Sequence, residues 1–69
     1  MEESFIIING DKREFLKECT VKELLFELGL SGKPVVVELN HEALIPQQFD
    51  LKVVTKGSTL EIVSIVAGG

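Results

Sequence analysis

Apolar and polar positions follow two different rhythms along this 69-residue chain. The stretch "SFIIING" runs from Phe5 through three isoleucines, residues that favour extended backbone. It closes on Asn9-Gly10, the pair that most readily supplies the two positive-φ residues of a type I′ turn. A strand entering a hairpin is predicted. "DKREFLKE" then sets Phe15 and Leu16 between charges, the pattern of a second, more exposed strand at a sheet edge.

The rhythm changes at "TVKELLFELGL". Val21, Leu24, Leu25 and Leu28 recur at steps of three and four, which lays one apolar stripe along a helix, while Lys22, Glu23 and Glu27 fall off it. Thr20 stands three residues before Glu23, the capping-box spacing in which each side chain satisfies the other's backbone amide. Gly29 supplies a left-handed stop and Pro34 blocks continuation. The predicted helix has about two and a half turns.

"VVVEL" at 35–39 predicts a β-branched strand, broken at "NHE". "ALIP" follows as a very short or edge strand, because Pro46 lacks an amide. "QQFDLKVVTKGS" reads as a loop carrying one buried anchor, Phe49, into a turn at Lys56-Gly57-Ser58. In "TLEIVSIV", Leu60 and Ile62 share one face and Val63 and Ile65 the other, which suits a central strand. The economical assembly is an α+β fold: a mixed sheet of about four to five strands, one main helix packed on one face, charged strands outside, and the first and last strands paired at the centre. This is a ubiquitin-like β-grasp, expected as a single domain over 1–69 with a flexible C-terminal tail at 66–69.

Composition supports a folded chain, with 45% hydrophobic and 26% charged residues, a balance unlike that of disordered segments. One cysteine, Cys19, and one histidine, His41, exclude an internal disulfide and a Cys/His metal cluster. Packing alone must hold the fold. A lone cysteine suits a reducing compartment, and two acids stand near the amino end where a signal peptide would carry bases. The expectation is a cytoplasmic, soluble protein. A formal net charge of −4 argues against nucleic acid, which requires clustered Lys and Arg, and favours a basic partner surface.

Candidate chemistry gathers at "SIVAGG". Ala67, Gly68 and Gly69 carry almost no side-chain volume, so this segment suits a narrow channel in a partner. An α-carboxyl, with a pKa of about 3.3–3.7, is ionised at neutral pH and is a competent nucleophile toward the α-phosphate of ATP. Glycine leaves the resulting acyl carbon open to attack. The carboxyl end of Gly69 is therefore the expected functional group, with Ala67 and Gly68 as its lead-in; the plain alternative is a chain end without a role. His41 is expected as a solvated turn residue and Cys19 as a small semi-buried filler. Phe5, Ile7 and Val63 form either a partner-docking surface or a second cluster roofed by the loop at 46–56.

The stretches "IIING", "TVKELLFELGL", "VVVELNHEALIP" and "KGSTLEIVSIVAGG" together resemble the ThiS family of sulfur carriers in thiamin biosynthesis, across essentially the full chain. The middle stretch is similar to a family pattern of an apolar-Asn pair and a hydrophobic-Pro pair, here Leu39-Asn40 and Ile45-Pro46. The resemblance implies a protein that is not an enzyme and binds no cofactor itself. Its Gly69 would be adenylated by a ThiF-like enzyme using ATP and Mg, then converted to a thiocarboxylate with sulfur from a donor such as a cysteine desulfurase. The product would give its sulfur to a ThiG-like thiazole synthase. The family often has Asp-Gly-Asp before the last strand, where this chain has Lys56-Gly57-Ser58. Two other readings stay open: a carrier like the small subunit of molybdopterin synthase, and a β-grasp interaction module with an inert tail.

Overall fold

The computed structural model describes residues 4–65. Strand β1 (Phe5–Ile8) turns back into β2 (Asp11–Glu14) through Asn9 and Gly10 at φ +52° and +85°, the two left-handed residues that a type I′ turn demands. Their register pairs Phe5 with Glu14 and Ile8 with Asp11. β2 is shorter than its charge pattern predicts. The amide of Phe15 still donates to Ser4 O at 3.0 Å, but its ring is buried at 6% exposure while Leu16 stands 81% exposed. Phe15 closes the end of the core, and the chain then leaves the sheet edge for the helix.

Helix α1 (Val21–Glu27) begins as its sequence requires. Glu23 N donates to Thr20 Oγ1 at 3.1 Å and Thr20 N to Glu23 Oε1 at 2.8 Å, the reciprocal capping box. Two more amides of the first turn are taken by a distant loop, Val21 N by Lys52 O and Lys22 N by Phe49 O. At the other end Gly29 adopts φ +77°, with Gly29 N bonded to Phe26 O and Leu30 N to Leu25 O. This is a Schellman stop, which occupies carbonyls that would otherwise end the helix unpaired. Seven residues make about two turns, slightly fewer than predicted.

β4 (Val35–Leu39) and β5 (Glu42–Leu44) are joined by a second positive-φ pair, Asn40 at +50° and His41 at +70°. A 3-10 turn, Pro46–Gln48, follows, and Phe49 packs against the core. The next segment is not only a loop. β6 (Val53–Val54) pairs antiparallel with β3 (Cys19–Thr20), joining Cys19 to Val54 and Thr20 to Val53 in a separate two-stranded sheet. β7 (Thr59–Ser64) then enters from a turn in which Gly57 has φ +82°. There Ser58, buried at 3% exposure, accepts the Thr55 amide at 3.1 Å, so its hydroxyl closes the turn.

The main sheet has the order β2-β1-β7-β4-β5. β1 and β7 run parallel and the other pairings are antiparallel, so the first and last strands meet in the middle and charged β2 lies at an edge, as expected. Ile6, Ile8, Val37, Leu39, Leu60 and Ile62 point to the helix side, where they meet Val21, Leu24 and Leu25. Ile6, Val21, Val37, Val54 and Leu60 are almost fully enclosed.

Candidate functional site

Strand alternation turns Phe5 and Ile7 of β1 away from the helix, onto the same face as Val63 of β7. The roof considered for that face is absent among the described residues: the loop at 46–56 bonds to the first turn of α1, on the opposite side. The three candidates share a face without forming one patch. Ile7 is level with Thr59, and Val63 lies four residues further along β7, about 13 Å away.

At the far end Phe5 and Ile7 are half-buried, and Lys12 Nζ sits 4.5 Å from the centroid of the Phe5 ring. That geometry joins a cation–π attraction to cover from the lysine's aliphatic stem. At the near end Val63 pairs with Val36, and the two are 57% and 45% exposed. Between these ends Glu61 stands directly opposite Glu38. Like charges so placed oppose folding slightly, and they give the centre of the face an acidic bar flanked by apolar ends.

Past β7, Ile65 N donates to Pro34 O at 2.9 Å. Ile65 also borders an open groove of about 730 Å³, shared with Leu25, Leu30, Pro34, Pro46 and Phe49. The expected reactive segment, Ala67, Gly68 and Gly69 within the tail 66–69, lies outside the described residues. The structure thus places the strand that leads to it.

The other singled-out residues take the expected places. His41 is exposed in the β4–β5 turn. Cys19 is half-buried in β3, its thiol pushed above the ordinary 9.0 by burial and then by the charges of Glu27 and Glu23, so it stays protonated near neutrality. Among the described residues no group of three or more His, Cys, Asp or Glu side chains could hold a metal, and no helix is long and apolar enough to cross a membrane.

Sequence reasoning missed the role of Asn9. Beyond setting the hairpin, its side chain reaches the middle of β7: Nδ2 donates to Ile62 O at 2.9 Å and Oδ1 accepts Ile62 N at 2.8 Å. Asn40 does the like on the opposite edge, its Oδ1 accepting Thr59 N at 2.9 Å. The visible signal is Asn at the first left-handed position of each of the two turns.

A mixed sheet with parallel first and last strands at its centre and one helix across a single face is a ubiquitin-like β-grasp. A crystal structure of the thiamine biosynthesis protein ThiS from Geobacter metallireducens superposes with a TM-score of 0.80 at 31% identity, over 94% of this chain and 99% of that one. The ThiS family model matches residues 6–69, and the chain belongs to the ThiS family. It is 36% identical to the sulfur carrier protein ThiS of Thermus thermophilus over 62 residues, covering 90% of this chain and 95% of that protein. It is also 39% identical over 64 residues to a thiazole synthase of Paramagnetospirillum magneticum, covering 93% of this chain but 20% of that protein. The chain thus spans about a fifth of that relative's length.

Proposed function

We propose that this protein is a sulfur carrier for the thiazole of thiamin, with the carboxylate of Gly69 as the group that changes. The observation that carries the reading is family membership through residue 69, over a match that includes Gly68 and Gly69. Delivery to a thiazole synthase is supported by the relative of that name, a fifth of which resembles this chain.

In this reading the Gly69 carboxylate attacks the α-phosphate of ATP on a ThiF-like enzyme, with magnesium, and expels pyrophosphate. The terminal sulfur of a persulfide, charged by a donor such as a cysteine desulfurase, then displaces AMP, which leaves with one former carboxylate oxygen. A second thiol of the donor system cleaves the resulting acyl disulfide, forming a disulfide with the donor sulfur, and the carrier keeps a thiocarboxylate. Gly68 and Ala67 let the segment thread a narrow channel, and small residues leave the acyl carbon open to approach within about 3–3.5 Å. The carrier is a cosubstrate rather than a catalyst and works in the cytoplasm. Its open sheet face, with Val63 at the near end and Phe5 and Ile7 at the far end, is the docking surface. The acidic bar of Glu38 and Glu61 selects a partner with basic groups between apolar ones.

Intact-mass measurement tests the chemistry. Incubation with ATP, a ThiF-like enzyme and a sulfur source is expected to raise the mass by the difference between one sulfur and one oxygen, and a variant lacking Gly69 is expected to stay unchanged. No mass change with a competent enzyme overturns the reading and leaves an interaction module. Transfer to the large subunit of molybdopterin synthase, with none to thiazole synthase, would assign the carrier to that other pathway.

A further inference from the structure

The last residue of β7 has a free edge on one side only. Backbone groups of successive strand residues point to opposite edges, and on β7 the residues facing β4 are fixed by the Ile65 N to Pro34 O bond and the Val36–Val63 register. Leu60, Ile62 and Ser64 therefore face the other way. Leu60 O is met by Asn9 N, and Ile62 N and O by the Asn9 side chain. There the cover ends, because β1 pairs with β7 only at Thr59 and Leu60 and its chain turns away at Asn9-Gly10. Ser64 is exposed, and by the same alternation its backbone N–H and C=O point away from β4, to the side that β1 no longer covers.

Unpaired groups in a row along a strand edge are a template for another strand, and proteins usually blunt such an edge with charge, proline or a bulge. Here the neighbours are Val63 and Ile65, 57% and 51% exposed, and no charge or proline interrupts residues 62–69. Gly69 lies five residues beyond Ser64, a reach of at most about 18 Å. A partner that works at Gly69 must therefore come within that distance of Ser64.

We propose that the enzyme activating Gly69 adds an extended segment of its own main chain to the β7 edge beyond Asn9. It takes the Ser64 N–H and C=O as its rung, next to the one that the Asn9 side chain fills. The inference rests on the carrier reading above and adds where the partner joins the sheet. Main-chain rungs supply affinity without asking for particular side chains. Asn9 sets the register, because its amide fills the rung at Ile62 and leaves the next one open.

The test uses the full chain with a ThiF-like enzyme and ATP. Ser64→Pro removes the donor at an edge position whose amide the domain does not use. It is expected to keep the native amide spectrum and to raise the KM for the carrier in ATP–pyrophosphate exchange about tenfold, with kcat within about twofold, since the rungs bind tail and transition state alike. A folded Ser64→Pro variant with unchanged KM overturns the strand addition. Hydrogen exchange on the wild-type chain decides independently of folding. The Ser64 amide is expected to exchange fast in the free carrier and at least about tenfold more slowly in the saturated complex; an amide still fast in the complex also overturns it. A wild-type carrier that is never activated overturns the function itself and this inference with it, an outcome distinct from normal wild-type turnover with an indifferent variant.

Discussion

Replacing Asn9 by glycine isolates the clasp between the first hairpin and the last strand. Asn9 holds φ +52°, where alanine would add about 1–2 kcal/mol of steric cost. Glycine accepts that conformation and deletes only the side chain. Two bonds to Ile62 are lost, at 2.9 and 2.8 Å. At about 0.5–1.5 kcal/mol net for each, the loss is about 1–3 kcal/mol, and the extra freedom of glycine in the unfolded chain adds about 0.5–1 kcal/mol. A domain of this size has about 3–10 kcal/mol in all, so Asn9→Gly should remain folded and be clearly weaker.

Urea denaturation followed by circular dichroism reads the change as a lower midpoint with an unchanged slope, and the Ile62 amide should exchange faster than in the wild type. Asn9→Ala should lose about 1 kcal/mol more from turn strain, less the smaller entropy of alanine in the unfolded chain. The clasp is refuted if Asn9→Gly costs less than about 0.5 kcal/mol and the Ile62 amide keeps its protection, because β7 would then be held by β4 and the parallel pairing alone.

Three further outcomes follow from the same geometry. Thr20→Ala breaks the capping box but leaves the Lys52 and Phe49 carbonyls on the first turn of α1; it should cost about 1 kcal/mol and lower the thermal midpoint by about 4–8 °C. Cys19 titrates higher in the folded chain than its ordinary 9.0, so the native state keeps a proton that the unfolded chain releases. Its contribution to stability is complete below pH 9.0 and falls as pH rises through the window up to the folded value; a urea series at increasing alkalinity should show that decline flattened in Cys19→Ala. Val63→Asp on the open face should change stability by less than about 0.5 kcal/mol and still raise the KM for adenylation, and an unchanged KM would remove Val63 from the docking surface.

What the sequence displays and what it hides divide along separation in the chain. Asn9-Gly10, the Thr20–Glu23 box and Gly29 act within a few residues, and each does in the structure what its chemistry announces. The central pairing of β1 and β7 joins distant segments, but it is legible because those are the most apolar strands and the core needs them inside. The β3–β6 pair is not legible. Each strand has two residues, too few to show alternation, and Cys19 meets Val54 only after the helix and the β4–β5 hairpin intervene. Phe15 misleads for a related reason: its charged neighbours advertise an edge, while the ring fills a hole at the end of the core that exists only after assembly. The grip of Asn9 on a residue 53 positions away lies beyond any local pattern, and the reactive candidate Gly69, with Gly68 as its lead-in, announces itself by chemistry rather than by fold.

The fold bears on the proposed chemistry through a mismatch of strand lengths. β7 has six residues and its parallel neighbour β1 has four, and β1 is cut short because the hairpin turns at Asn9. A longer β1 would cover the Ser64 edge; without Asn9, Ile62 would be exposed along with it and the end of β7 would be fixed on one side alone. The hairpin thus stops the sheet at a defined rung, leaving β4 and Pro34 to hold the other side of the strand as far as Ile65. An edge held rigidly on one side and open on the other gives a partner both a fixed starting point and room to continue the sheet. Lengthening the first hairpin by two residues, so that it runs beside Ser64, should therefore leave the domain folded and suppress activation of Gly69. Normal activation of that variant would mean that the partner reaches the tail without using the edge.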